Sequence, residues 1–519
     1  MNTEDFVGGA WLVAHYGIEL ALPLFVQSRI GGRRASAVVD GVAVETFVAS
    51  MRPKANLRGH LVFHLKHEVL HLELLARVFS KADPAELVEW IDEEPGGQYA
   101  RRAGFLFEWL TGSELKVRAE IAGAYVDAVD GQKWVVASPG CTRSNPRWRV
   151  TDNLPGSPAF CPMVRKTEAL ALAAAVDVQR LLNDLELEFG AEVLMRSAVW
   201  MTLRESKSSF AIEGESDQSE RIQRFSDVLA RRTGHGPPPL DDATLAQLQA
   251  DILGKRSTLQ RFGVRQSPVF VGEVVRYQEV VHYVAPPPED LPAMLEGLAT
   301  FLERTHGQSA AMRCAVMAFG FVYIHPLADG NGRVHRFLIN DILRRDGVVS
   351  APMVLPVSSL IDSKPAERQA YNQILDTVSR PLMRLLDGQY AFAPLQAAFP
   401  DGIHSNFVFR GNDTARPAWR YPDLTRHVIY LADVLERTVR DDMRSESRYL
   451  RAHARAREAI KELVEMPDLQ ADRVIRSVQT NQGQLSNVLK KEIPLLAEPA
   501  LWAAIVRAIE GAFDLSADS

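Results

Sequence analysis

The chain has 519 residues, 46% hydrophobic and 24% charged, with a formal net charge of −6 at pH 7. That length allows more than one structural unit, and the composition excludes a disordered chain or a coiled coil. The mildly acidic balance gives no support to bulk nucleic-acid binding. Three dispersed cysteines (Cys141, Cys161 and Cys314) form neither a disulfide framework nor a paired metal spacing, so a reducing, cytoplasmic setting is expected. The opening MNTEDFVGG lacks the basic region of a secretory signal, and no apolar run is long enough to span a bilayer.

Apolar residues recur at helical spacing from about Leu57 to Phe79 (Leu61, Leu65, Val69, Leu72, Leu75, Val78), and GFLFEWL at 104–110 continues helically. This stretch contains HEVLH at 67–71, which fits the HExxH zinc-peptidase pattern. On an unbroken helix His67 and His71 would share a face, with Glu68 as base. The longer HExxHxxGxxH pattern is absent and Glu73 stands too close to be a distal ligand, so zinc is not expected. Between Val117 and Arg165, WVVAS, RWRV and the turn formers PGCTRSNP and NLPGSP predict short strands or an ordered loop. Helices resume at Lys166. After the loop TGHGPPP (233–239), Asp241 or Asp242 is placed to cap another. VFVGEVVRYQEVVHYV (269–284) is rich in β-branched residues and reads as a hairpin, which PPPEDLP ends before a helix carrying MLEGLATFLERT. Beyond about Pro394 a connector leads to helical blocks at 423–466 and from 468 onward. The expected class is mainly α with a small β-hairpin.

The residues that carry chemistry are HPLADGNGRVHR (325–336), set between the apolar AAMRCAVMAFGFVYI and the amphipathic FLINDILRR. Gly330 and Gly332 let the backbone bend and present successive N–H groups to an anion. A helix starting at Asn331–Arg333 would add the positive end of its dipole. Arg333 and Arg336 share a face suited to phosphate oxygens, and Asp329 can hold Mg²⁺ shared with substrate phosphates. His325 ends the apolar helix, and its ordinary pKa suits a general base near neutral pH. The sum is a site for phosphoryl or nucleotidyl transfer.

HPLADGNGRVHR resembles the loop HxFx(D/E)GNGRxxR of the Fic (Fido-domain) family, with Leu327 in place of the usual Phe. The resemblance implies a helical core that transfers AMP from ATP to a Ser, Thr or Tyr hydroxyl of a protein target. His325 would be the base and Asp329 the Mg²⁺ ligand. Asn331 with the Gly330 and Gly332 amides would cradle the phosphates, and Arg333 and Arg336 would bind the β- and γ-phosphates. The hairpin at 269–284 falls where the family places a flap that docks the target by strand addition. SSFAIEGE (208–215) resembles the family's inhibitory motif, (S/T)xxxE(G/N), with Ser209, Glu213 and Gly214 in its places. Glu213 would then pair with Arg336 and stand in the γ-phosphate position. The resemblance is compatible with self-modification and with a homodimer.

The expected division is an N-terminal helical domain with short strands or an ordered loop at 1–165 and helices carrying the inhibitory motif at 166–235. The Fido core follows at 236–393, and a C-terminal helical domain at 394–519. In the last, Arg440, Arg444, Arg448, Arg451 and Arg455 form one helical stripe, and 468–493 suits a helix-turn-helix with its turn at Asn481–Gly483. A solvated or ion-paired face is the expected reading of the stripe, with nucleic acid as the alternative. The competing functions are a nucleotide-binding regulatory or DNA-binding module using the C-terminal helices, and a Fic enzyme that transfers UMP or phosphocholine or removes AMP.

Overall fold

The segment AAMRCAVMAFGFVYI forms the helix Ala310–Ile324, capped by Ser309, whose hydroxyl accepts from the Met312 amide. It has almost no polar face to turn to water, so nearly every residue is buried. Helices Leu291–Arg304, Asn331–Arg345 and Thr425–Arg437 pack around it, and this bundle is the centre of the largest hydrophobic core. The computed structural model describes residues 5–39, 42–215, 219–254, 259–276 and 278–517. Among them helices dominate and the sheets are small, so the architecture is mainly α. The acidic start of the chain lies partly outside the described residues, at 1–4. No helix among the described residues is long and apolar enough to cross a membrane.

A second core joins the helices between Leu12 and Leu110 to Trp134, Trp148 and Leu154, and a third gathers Ala456, Ile460, Val474, Ile475 and Ile505. The first two cores are tied by Arg304, which is buried, pairs with Asp152 at 2.8 Å and donates to the Leu154 carbonyl. Asp241 caps Asp242–Leu253 with a full capping box, as its position before an apolar run suggests.

Three expectations are not met in the structure. The helix read from Leu57 to Phe79 is two helices, Leu57–His67 and Leu72–Lys81. Between them the backbone is extended, because its polar side chains bond across the fold. Glu68 accepts from the Gly9 amide at 2.8 Å and lies 2.6 Å from His64 Nδ1, while His71 Nδ1 caps the second helix at the Leu74 amide. His67 and His71 therefore share no helical face, and the zinc geometry that HEVLH required does not form. Among the described residues no group of three or more His, Cys, Asp or Glu side chains could hold a metal.

The connector after Pro394 is part of a β-hairpin, Tyr390–Ala398 with His404–Phe409. Its Phe392 and Phe407 pack on Phe270 of the 270–284 hairpin, a tertiary contact that no local periodicity signals. A four-stranded sheet near the N-terminus (Phe6–Val7, Gln27–Gly31, Val42–Val48, Ala35–Val39 in spatial order) has likewise no clean alternation. Its outer strand Ala35–Val39 is almost wholly exposed.

The basic stripe is also broken. A π-helical turn at Thr438–Met443 changes the register before Arg444–Leu463, so Arg440 falls out of line. Arg440 pairs with Glu436, Arg444 with Glu188, and Arg451 stacks on Phe189. These three cations are engaged within the chain. In the C-terminal part, Asp468–Thr480 and Asn487–Glu492 flank a turn in which Gln482 and Gly483 are left-handed, and the second helix has only six residues.

Candidate active site

The hairpin read from 269–284 is present as Phe270–Val275 paired antiparallel with Gln278–Val284, with a register shift at Val271/Gly272. Beside it the apolar helix ends at Ile324, and His325 takes the left-handed conformation, φ 50°. For a non-glycine residue this costs about 1–2 kcal/mol, so the surroundings must impose it. The next helix starts at Asn331 after Gly330 (φ 93°), leaving its first amides without intrahelical partners.

His325 Nδ1 lies 3.2 Å from the Val322 carbonyl. With Nδ1–H donating there, the Nε2 lone pair is left to accept a proton. Burial pushes the imidazole down to about 4. The Arg265 charge acts in the same direction, and the Val322 carbonyl and Glu213 oppose it. The expectation of an ordinary pKa near neutrality is thus corrected: His325 is neutral across the physiological range because its site desolvates the charged form.

Both loop arginines are almost fully buried and face acids at the end of one helix, Ala191–Ile212. Arg336 pairs with Glu213, its Nε donates to Ser209 Oγ at 2.6 Å, and its Nη2 donates to the Ser209 carbonyl at 3.2 Å. Ser209 and Glu213 therefore lie on one face, as their spacing implied. Burial raises the Glu213 carboxyl, but Arg336, helped by Arg333 and His325, outweighs it and the net direction is down. A Cβ on Gly332 would fall 2.0 Å from Glu213 Oε1, so the missing side chain is what lets the carboxylate reach the first turn of the helix. Gly214 is left-handed, φ 76°, and turns the chain out of the helix end.

Arg333 bonds Asp329 at 3.0 Å and Glu215 at 3.2 Å, with Phe210 beneath its guanidinium. Glu215 belongs to the segment SSFAIEGE, yet helical spacing gave no reason to assign it, because it lies beyond the helix. The Asn331 side chain closes the loop, accepting from the Leu327 amide at 3.0 Å and donating to the Leu327 carbonyl at 2.7 Å, and its backbone amide stands at the start of the helix. Leu327 itself is fully buried under the loop.

Glu213, His325, Gly332, Arg336 and Tyr371 line one cavity of about 710 Å³, into which Val271 and Val281 of the hairpin also reach. Two residues of this neighbourhood carry no sequence signal, Tyr371 and the buried Arg265, whose Nε donates to the His325 carbonyl at 2.8 Å. The chemistry available is a neutral base beside a cationic, amide-rich anion site. A carboxylate of the chain itself lies in that site.

This loop and hairpin fall within residues 239–343, which match the family model described as Fic/DOC family, so the chain carries a Fic/DOC domain. It is similar to protein adenylyltransferase fic-1 of Caenorhabditis briggsae, 29% identical over 136 residues (26% of this chain, 25% of that protein). It is also similar to protein adenylyltransferase Fic of Drosophila virilis, 29% identical over 114 residues (22% and 21%). Each match thus spans about a quarter of the relative's length or less. Among solved structures it is similar to a Fic family protein from Desulfovibrio desulfuricans G20, at 18% identity and a TM-score of 0.39, covering 62% of this chain and 90% of that one.

Proposed function

We propose that this chain transfers AMP from ATP to a Ser, Thr or Tyr hydroxyl of a protein, and that Glu213 holds the activity off. The observation that carries the reading is the pairing of Arg336 with Glu213 and Ser209 in the cavity that also holds neutral His325. The Fic/DOC domain and the similarity to protein adenylyltransferases support the same reaction.

In this reading the Glu213 carboxylate leaves Arg336 and Glu215 leaves Arg333, and the two guanidiniums take the β- and γ-phosphates. The free amides at the start of Asn331–Arg345 meet phosphate oxygens along the helix dipole. His325 Nε2 accepts the target hydroxyl proton as that oxygen bonds to the α-phosphorus, the α–β bridging bond breaks, and pyrophosphate leaves. The target segment lies along the exposed edge of Phe270–Val275 as an added strand.

Asp329 fits a Mg²⁺ site of the kind that draws most ligands from phosphate and water. Its side chain is half exposed, and the described residues provide no cluster of three acids. When bound there, Mg²⁺ would neutralise charge on the phosphates. A cytoplasmic setting and self-modification belong to the same proposal.

The test is intact-protein mass spectrometry of wild type and Glu213→Gly after incubation with each nucleoside triphosphate and Mg²⁺. An adenylyl increment, larger in the variant and lost in His325→Ala, is expected. A uridylyl increment would change the donor, and no increment from any triphosphate would overturn the reading.

A further inference from the structure

Arg265 is a buried cation, 1% exposed, in the segment that leads into the hairpin, and no carboxylate pairs with it among the described residues. Its guanidinium donates instead to three backbone carbonyls: Nε to His325 at 2.8 Å, Nη1 to Ser267 at 2.7 Å and Nη2 to Pro286 at 2.5 Å. Its own amide donates to the Pro326 carbonyl at 2.8 Å, and Val264 bridges Leu327 antiparallel beside it. Ser267 and Pro286 are the two feet of the hairpin. One side chain therefore fastens both feet to the residue that ends the apolar helix in a left-handed conformation.

We infer that Arg265 is the positioning residue of this site: it fixes the His325 backbone in its left-handed turn so that the ring turns Nδ1 to Val322. The inference rests on His325 being the base of the proposed reaction. The carbonyl dipole of His325 points at the guanidinium, which is what stabilises the unfavourable backbone turn at that residue. A guanidinium held at the His325 carbonyl disfavours a second positive charge on that residue's ring, although Asp401 and Glu289 offset part of its charge. The effect is in line with the low pKa of His325, to which Arg265 is the largest contributor after burial.

The other charges facing His325 come from three elements. Glu213 ends the helix Ala191–Ile212, Arg336 stands on Asn331–Arg345, and Asp376 and Arg380 stand on Pro365–Leu385. His282 on the hairpin and the tyrosines Tyr283, Tyr323 and Tyr371 complete the titratable lining. Glu213 and Asp376 oppose Arg336 and Arg380 in sign. Arg265 makes no direct ion pair among the described residues and is opposed only through space by Asp401, which accepts from Gln266 and Ser267, and by Glu289.

The test uses the full chain with ¹³C-labelled histidine and follows the ring titration by NMR, the His325 signal being assigned by its loss in His325→Ala. In Arg265→Gln the His325 midpoint is expected to rise by about one pH unit. In Arg265→Lys, which keeps the charge, it should stay near its wild-type value. In the Glu213→Gly background Arg265→Gln should also lower kcat more than tenfold while leaving the KM for ATP within about twofold, because the phosphate contacts are untouched. Lysine should leave the acid limb of the pH profile in place.

An unchanged midpoint in Arg265→Gln overturns the inference. So does a rise of equal size in Arg265→Lys, which alone decides the matter should the glutamine variant not fold. The titration needs no turnover, so absence of nucleotide transfer in Glu213→Gly would remove the proposed reaction while the Arg265 effect was still read.

Discussion

Replacing Glu213 by glycine removes the carboxylate from Arg336 and leaves the helix Ala191–Ile212 in place, since Glu213 is the C-cap residue just beyond it. A hydrogen bond to a charged group contributes about 1.5–3 kcal/mol. About a third of the Glu213 side chain is open to water (35% exposed), so screening favours the lower part of that range. If that energy separates the blocked from the open arrangement, only about one molecule in 10 to one in 40 is competent at any moment. Initial rates of label transfer from α-labelled ATP at subsaturating nucleotide should therefore rise about 10- to 40-fold in Glu213→Gly. Glu213→Gln, which keeps the shape and loses the charge, should lie between. Because Arg336 holds the Glu213 carboxyl below its ordinary range, the carboxylate stays charged on moving up from that range. The blocking contact is lost only as pH falls through the lowered value. The ratio of variant to wild-type rates should accordingly be flat between about pH 6 and 8. A rate in Glu213→Gly equal to or below wild type would refute self-inhibition, and a ratio that collapses near pH 7 would refute its electrostatic basis.

His325→Ala should abolish labelling in both backgrounds, and retained label would remove His325 as the base. Gly332→Ala should block nucleotide binding even with Glu213→Gly, because the new Cβ fills the space now taken by the carboxylate and lies 2.9 Å from Arg336 Nη2; calorimetric titration with ATP checks this. Glu205 is fully buried, and both its oxygens take hydrogens from Ser358, one from the amide and one from the hydroxyl. Burial raises its carboxyl to about 7 against the Ser358 hydrogen bonds. Its protonated form therefore favours folding, and that contribution is lost as pH rises from about 4.5 through 7. Glu205→Gln should raise Tm at pH 8 relative to wild type and change it little at pH 5, as read by scanning calorimetry. His325 and His335 (both about 4) and His60 (about 4) are pushed down chiefly by burial. Acidification from about 6.5 toward 4 should thus lower Tm, since the unfolded chain takes up protons the folded one refuses.

The sequence by itself determined the helical class and the core helix, since an apolar run of that length with no polar face has to be buried. It also determined the loop 325–336 and the one-face placement of Ser209 with Glu213, because these depend on glycine, capping and i,i+4 geometry within a few residues. Spacing on a helix is a local property and can be read locally. Contacts between distant segments cannot. The break at Glu68–His71 exists because Gly9 offers an amide to Glu68, 59 residues away in the chain. The hairpin at 390–409 depends on Phe270, and the depressed pKa of His325 depends on burial and on Arg265, 60 positions earlier. Asn331 shows the same division: its motif position was plain, but its side chain bonds were fixed by how tightly the loop closes over Leu327. The residues of the chemistry were thus set by local rules, whereas their charge states and the acids that cover them were set by desolvation and by charges that only folding brings near.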